Sequence, residues 1–163
     1  MKKEKNYKVI LIFCLLFAAL SYSFSQNGKL PPFRIVDVKG NLFRAEDLPF
    51  NRPIMIIYFS PECEDCEALI SDLLTNINDF RNVSIAMITF LPVDILKSFV
   101  LKNHIDQYPN IYSGTEGDLF FVRDYYKVLT LPFVALHNKS GDLLKIYREN
   151  FNMDEILKQI NNP

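Results

Sequence analysis

The 163-residue sequence contains no tryptophan, three cysteines and two histidines. So few cysteines exclude a disulfide-dense scaffold, and a single Cys-x-x-Cys pair with two histidines falls short of a four-cysteine zinc set. An excess of positive charge is missing too, because 18 Lys and Arg stand against 19 Asp and Glu. That balance offers no basic face for the phosphates of nucleic acid. No apolar run reaches the roughly 20 residues of a comfortable membrane span. Internal repeats, low-complexity tracts and long linkers are also absent. What remains, 49% hydrophobic and 23% charged residues, is enough for one ordinary core, so a single globular domain is expected.

The first 25 residues stand apart from that core. "MKKEKNYK" is basic, "VILIFCLLFAAL" is apolar for about a dozen residues, and "SFSQ" places Ser23 and Ser25 at the −3 and −1 positions of a cut before Gln26. A secretory signal over residues 1–25, cleaved after Ser25, is the expectation, with an uncleaved N-terminal anchor as the alternative. Phe13 precedes Cys14, where a lipoprotein cut needs a small residue. Removing residues 1–25 takes Lys2, Lys3, Lys5 and Lys8 from the 18 basic residues and Glu4 from the 19 acidic ones, leaving 14 and 18, a net charge of −4. Export places the surviving Cys63 and Cys66 in an oxidising compartment, either the periplasm, the cell envelope or the exterior.

Along residues 26–163, short strand-like runs alternate with longer helical ones. "FRIVDV", a turn around Gly40 and "LFRAEDL" predict an N-terminal hairpin. "PIMIIYF" at 53–59 reads as a strand covered on both faces. Apolar residues then recur at spacings of three and four from Ala68 to Phe80, which predicts an amphipathic helix from about Cys63 to Phe80. A second buried strand at 83–91, a helix from Val93 to about Ile105, a short run at "NIYS", a helix near "GDLFFVRDYYKV", a hairpin over 132–149 turning at Asn138 to Gly141, and a last helix at "MDEILKQI" complete the order. The β-α-β sequence implies parallel pairing through right-handed crossovers. The fold class is α/β, with a central mixed sheet flanked by helices on both faces and an N-terminal β-extension.

The chemistry concentrates in "FSPECEDCEALI". Thiol–disulfide exchange needs a thiolate that attacks and a second thiol that expels the partner. A Cys-x-x-Cys at a helix start provides both, with Cys63 near the free N–H groups of the helix N-terminus and Cys66 one turn in. The same spacing is half of a zinc site, with His104 and His137 as the histidines available, each read as a surface or rim residue. It is also compatible with a purely structural disulfide, although one closing so short a loop removes little unfolded-state entropy.

"PPFRIVDVKGNLFRAEDLPFNRPIMIIYFSPECEDC" resembles the opening of exported thioredoxin-like proteins, the group that includes cytochrome-maturation thiol reductases of the TlpA-like, redoxin type. "YYKVLTLPFVALHNKSGDLLKIYREN" resembles that family's second landmark, so the likeness spans essentially the whole of residues 26–163. The resemblance implies a thioredoxin fold, a redox-active Cys63 and Cys66, a cis-proline at Pro132, and a Leu131 whose backbone pairs with an extended partner strand. A trans proline that starts a strand is the plainer reading of Pro132. Three departures stand out. Glu62 replaces the tryptophan usual before the first cysteine, Ile57 occupies the strand position where many thioredoxins bury an aspartate, and Glu64-Asp65 separates the cysteines.

Glu62, Glu64, Asp65 and Glu67 are therefore candidates for tuning the pair, and acids between the cysteines disfavour a thiolate and point to a reducing potential. The same acids also suit a helix start, where they interact favourably with its dipole. The opening resembles peroxiredoxins as well, but their Pro-x-x-x-Thr/Ser-x-x-Cys loop is absent, and Sco-like copper chaperones space their cysteines by three residues rather than two. The expectation is a monomeric thiol–disulfide oxidoreductase without a cofactor or metal, acting on protein thiols and disulfides of exported proteins, with a membrane electron donor behind it and no nucleic-acid partner. The alternative is a redox-inert binding or structural module on the same fold.

Overall fold

The computed structural model describes residues 28–49 and 51–161. The leader expected over residues 1–25, its cut after Ser25 and Cys14 lie outside the described residues. Within them, no helix is long and apolar enough to cross a membrane.

Strands β1 (Arg34–Asp37) and β2 (Leu42–Arg44) form the predicted hairpin. Its turn is held by the Asp37 carboxylate, whose Oδ1 accepts from the N–H groups of Lys39 and Asn41 at 2.8 Å each. Gly40 supplies the positive φ of +85° that the turn requires. A β-α-β-α-β run follows, with β3 (Ile54–Tyr58), α1 (Glu64–Thr75), β4 (Ser84–Thr89), α2 (Val93–Lys102) and β5 (Ile111–Thr115). Then come α3 (Phe121–Tyr126), β6 (Phe133–His137), β7 (Leu143–Tyr147) and α4 (Met153–Asn161).

The strands form one seven-stranded mixed sheet in the order β2-β1-β5-β4-β3-β6-β7. The pairs β3–β4 and β4–β5 are parallel, while β1–β5, β3–β6 and β6–β7 are antiparallel. Alternation along β3 divides the core. Met55 and Ile57 face one apolar cluster with α1, α2 and α4, whereas Ile54, Ile56 and Tyr58 face a second cluster with Phe33, Ile35, Val122 and Tyr126. Helices thus cover both faces, three on one side and α3 with the N-terminal segment on the other. The N-terminal hairpin docks through β1 on β5, where Ile35 lies so close to Gly114 that a Cβ there would stand 2.6 Å from the isoleucine side chain.

Two expectations need correction. The helix after the cysteines ends at Thr75, not Phe80. Asn76 stops it by turning its side-chain amide back to the Asp72 carbonyl at 2.9 Å, and a 3-10 turn over Ile77–Phe80 keeps the apolar spacing while the α-helix does not continue. His104 is exposed just beyond α2, but His137 is no rim residue, since it is fully buried in central strand β6. Its Nδ1–H donates to the Gly141 carbonyl at 3.2 Å and its Nε2 accepts from the Tyr126 hydroxyl at 2.6 Å.

Burial pushes the His137 pKa down to about 4, against smaller opposing effects of the Gly141 carbonyl and Asp142. The folded state therefore holds this ring neutral where the unfolded chain, titrating near 6.5, already binds a proton. Stability is expected to fall as pH drops from about 6.5 to about 4, by up to about 3 kcal/mol from this group. Chemical denaturation between pH 7 and 4 checks this, and the slope in that window must shrink in His137→Phe even though the variant is less stable throughout.

Candidate active site

The cysteine loop is built where β3 ends and α1 begins. Ser60 organises it: the carbonyl accepts from the Cys63 N–H at 3.1 Å, and the hydroxyl oxygen accepts from the Glu62 N–H at 3.2 Å. Cys63 is the N-cap of α1, with an extended backbone (φ −104°, ψ 118°) and a sulfur that accepts from the Cys66 N–H at 3.3 Å. A sulfur here does what a serine or aspartate oxygen does at most caps, meeting one of the helix's unpaired first N–H groups.

The two sulfurs stand 2.7 Å apart, with the Cys66 thiol donating to Cys63 Sγ, and both are free thiols. Cys63 is half-buried and Cys66 fully buried, in the apolar cluster that includes Ile57, Phe59, Leu69 and Ile70. Burial pushes the Cys66 thiol up to about 12, and the neighbouring Cys63 and the charge of Asp65 add to it, while a hydrogen bond from the Ser60 backbone opposes. Ile57, fully buried, fills the strand position expected to lack a carboxylate, so the surroundings of Cys66 there are apolar.

The four nearby acids take different positions. Glu62, Glu64 and Asp65 are exposed at the helix start. Glu67 turns toward α2, where its Oε1 meets Lys102 Nζ at 2.5 Å. Among the described residues no group of three or more His, Cys, Asp or Glu side chains is arranged to hold a metal ion.

The Leu131–Pro132 peptide is cis. Phe133, the next residue, pairs with Tyr58 at the end of β3, which sets the proline loop at the same end of the sheet as the cysteine loop. Leu131 packs against the same apolar cluster as Cys63. Among the described residues, neither its N–H nor its carbonyl enters a backbone hydrogen bond. Beside this loop lies a groove of about 650 Å³, walled by Asp65, Ala68, Leu69 and Asp72 of α1, by Thr130 to Pro132, and by the β7–α4 turn from Arg148 to Asn152. Sequence reasoning reached Cys63, Cys66, Leu131 and Pro132 but missed Ser60 and the turn 148–152. "YREN" carries no signal of its own, because only the return of β7 to the cis-proline loop makes it a wall.

No family model and no curated protein matches the sequence. Solved structures do match in shape. A secreted Mycobacterium tuberculosis disulfide oxidoreductase homologous to E. coli DsbE superposes with a TM-score of 0.67 at 18% identity, covering 81% of this chain and 96% of that one. The exposed lipoprotein thioredoxin Etrx1 of Streptococcus pneumoniae gives 0.62 at 17%, covering 82% and 100%. The chain has the thioredoxin-like fold. A third structure, MTB dsbF in mixed oxidized and reduced forms, gives 0.65 at 19%, covering 82% of this chain and 98% of that one. The cysteine loop follows β3 and the cis-proline loop precedes β6, both at one end of the sheet.

The contrast between the thiols predicts selective alkylation. In the reduced protein at pH 8, iodoacetamide should label Cys63 and leave Cys66 unmodified, since a buried thiol raised to about 12 holds almost no thiolate. Peptide mapping by mass spectrometry reads the result, and equal labelling of both positions in folded protein would refute the assignment of Cys66 as the shielded thiol.

Proposed function

We propose that the protein is an exported thiol–disulfide oxidoreductase that reduces, or relays electrons to, disulfides of other exported proteins. The observation that carries this reading is the pair of free sulfurs 2.7 Å apart at the start of α1, one half-buried and one fully buried. Cys63, as thiolate, attacks one sulfur of a partner disulfide, forming a mixed disulfide and releasing the other partner sulfur as a thiolate that takes a proton. Cys66 then loses its proton and attacks Cys63 Sγ, giving the Cys63–Cys66 disulfide and the second partner thiol. The partner gains two electrons and two protons, and the protein gives up both; a dithiol donor at the membrane would restore the pair.

Leu131 and Pro132 shape the docking edge in this reading. The backbone groups of Leu131, which enter no backbone hydrogen bond among the described residues, suit β-type pairing with an extended partner segment beside the reactive sulfur. The reducing direction is supported by the apolar burial that pushes the Cys66 thiol up to about 12 and by the adjoining charge of Asp65. A poorly stabilised thiolate favours the disulfide form of the protein and so makes its dithiol a better donor. Export is supported by the leader-like residues 1–25 and by the fact that the matching M. tuberculosis and pneumococcal proteins are secreted and exposed, respectively. The reaction uses no cofactor, and the protein acts as a monomer.

Cys66→Ser should trap partner proteins as mixed disulfides through Cys63, visible as dithiothreitol-sensitive adducts in non-reducing gels, while Cys63→Ser should trap none. The purified wild-type pair should equilibrate nearer the thioredoxin potential of about −270 mV than the strong-oxidase value of about −120 mV. An empty trap in normally growing cells would favour a redox-inert module, and a potential near that of a strong oxidase would reverse the proposed direction.

A further inference from the structure

The groove beside the cis-proline loop sets three carboxylates against one guanidinium. Asp65, Asp72 and Glu149 line it and all are exposed, and among the described residues none forms an ion pair with a lysine or arginine. Asp72 Oδ1 accepts only a neutral amide, from Asn76 Nδ2 at 2.9 Å. Arg148, itself exposed, is the one cation among the lining residues, and its guanidinium is engaged, with Nη2 donating to the Tyr126 carbonyl at 3.1 Å and Cζ 5.4 Å from the Phe133 ring centroid. Glu62 and Glu64, also exposed, flank Cys63 in the chain. Ala68, Leu69, Leu131, Pro132 and Phe151 supply the apolar part of the lining, beside the polar Thr130, Asn150 and Asn152.

Like charges gathered around a recess raise the negative potential inside it, and a cationic partner relieves that repulsion and is drawn in at long range. An anionic segment meets the same carboxylates as a barrier. We propose that this groove receives a basic, cysteine-bearing extended segment of the partner protein, its Lys or Arg side chains flanking the reactive sulfur and meeting Asp65, Asp72 and Glu149. The proposal rests on the oxidoreductase reading and adds the partner's chemistry to it. The apolar part of the lining takes the stems of the long basic side chains while their charged heads reach the carboxylates.

The test uses the reduced protein and three peptides of equal length, each carrying one cysteine as a pyridyl disulfide and flanked by Lys and Arg, by neutral polar residues, or by Asp and Glu. Cys63 attacks the peptide sulfur, the peptide–pyridyl S–S bond breaks, and the released thiopyridone is followed by absorbance, the peptide disulfide being the oxidant. Each rate is divided by the same protein's rate with a small uncharged disulfide, so that changes in Cys63 reactivity cancel. At low ionic strength the basic peptide should react at least about tenfold faster than the acidic one. That ratio should fall severalfold in high salt and in the triple variant Asp65→Asn, Asp72→Asn, Glu149→Gln. Equal rates for basic and acidic peptides, or a preference that survives in the triple variant, would overturn the basic partner while leaving the oxidoreductase reading intact. Failure of all three peptides and of the small disulfide to react with folded protein would overturn both.

Discussion

The reactive end of the molecule depends on the burial of one thiol. Cys66, Leu69, Ile70 and Leu73 are all buried and recur at the three- and four-residue spacing of a single helix face. Packing that face on β3 therefore carries the Cys66 sulfur into the core, and the sulfur three residues earlier is left at the cap, on the rim. No separate device is needed to make the two thiols unequal. The apolar stripe that docks α1 also divides the pair into a shielded member and an accessible one.

The opposite face of β3 is secured by polar contacts. Tyr58 donates its hydroxyl proton to Glu116 Oε1 at 2.7 Å, and Glu116 Oε2 accepts from the Val122 N–H at the same distance. A buried carboxylate with two such bonds, each worth about 1.5–3 kcal/mol, ties the start of α3 to the central strand. Burial and that carboxylate push the Tyr58 phenol far above its usual range, so it stays a donor. One strand thus anchors the cysteine helix through apolar packing on one side and α3 through hydrogen bonds on the other. The segment that leads to the cis-proline leaves from α3.

Much of this was legible in the sequence because the decisive residues announce themselves locally. The almost wholly apolar run 53–59, rich in branched and aromatic side chains, read as a strand covered on both faces, and the β-α-β order after it left few topologies open. The cysteine pair, its helix start and the proline loop were legible through motif and resemblance together. Other features were not, for physical reasons. Asn76 ends α1 while Ile77 and Phe80 keep the apolar rhythm going, and rhythm alone cannot distinguish an α-helix from a following 3-10 turn. His137 looked like a rim residue because a strand's polar position faces water only when nothing covers it, and here Tyr126 and the 138–142 turn do. Glu116 gave no sign of burial, since its partners lie 58 residues back at Tyr58 and 6 residues ahead at Val122.

The groove draws its walls from segments about eighty residues apart in the chain, the first turns of α1 and the turn between β7 and α4. Only the first of these also carries the sulfurs. In the turn from Arg148 to Asn152, Arg148 is tied to Tyr126 and Phe133, Phe151 to the core and Asn152 to the start of α4. That leaves the exposed Glu149 as the charged position that can change without disturbing Cys63, Cys66 or the strands that hold them, whereas a change at Asp65 also alters the surroundings of the Cys66 thiol. The groove therefore has one charged wall position coupled to the thiols, Asp65, and one independent of them, Glu149, so its charge can be changed without touching the cysteine pair.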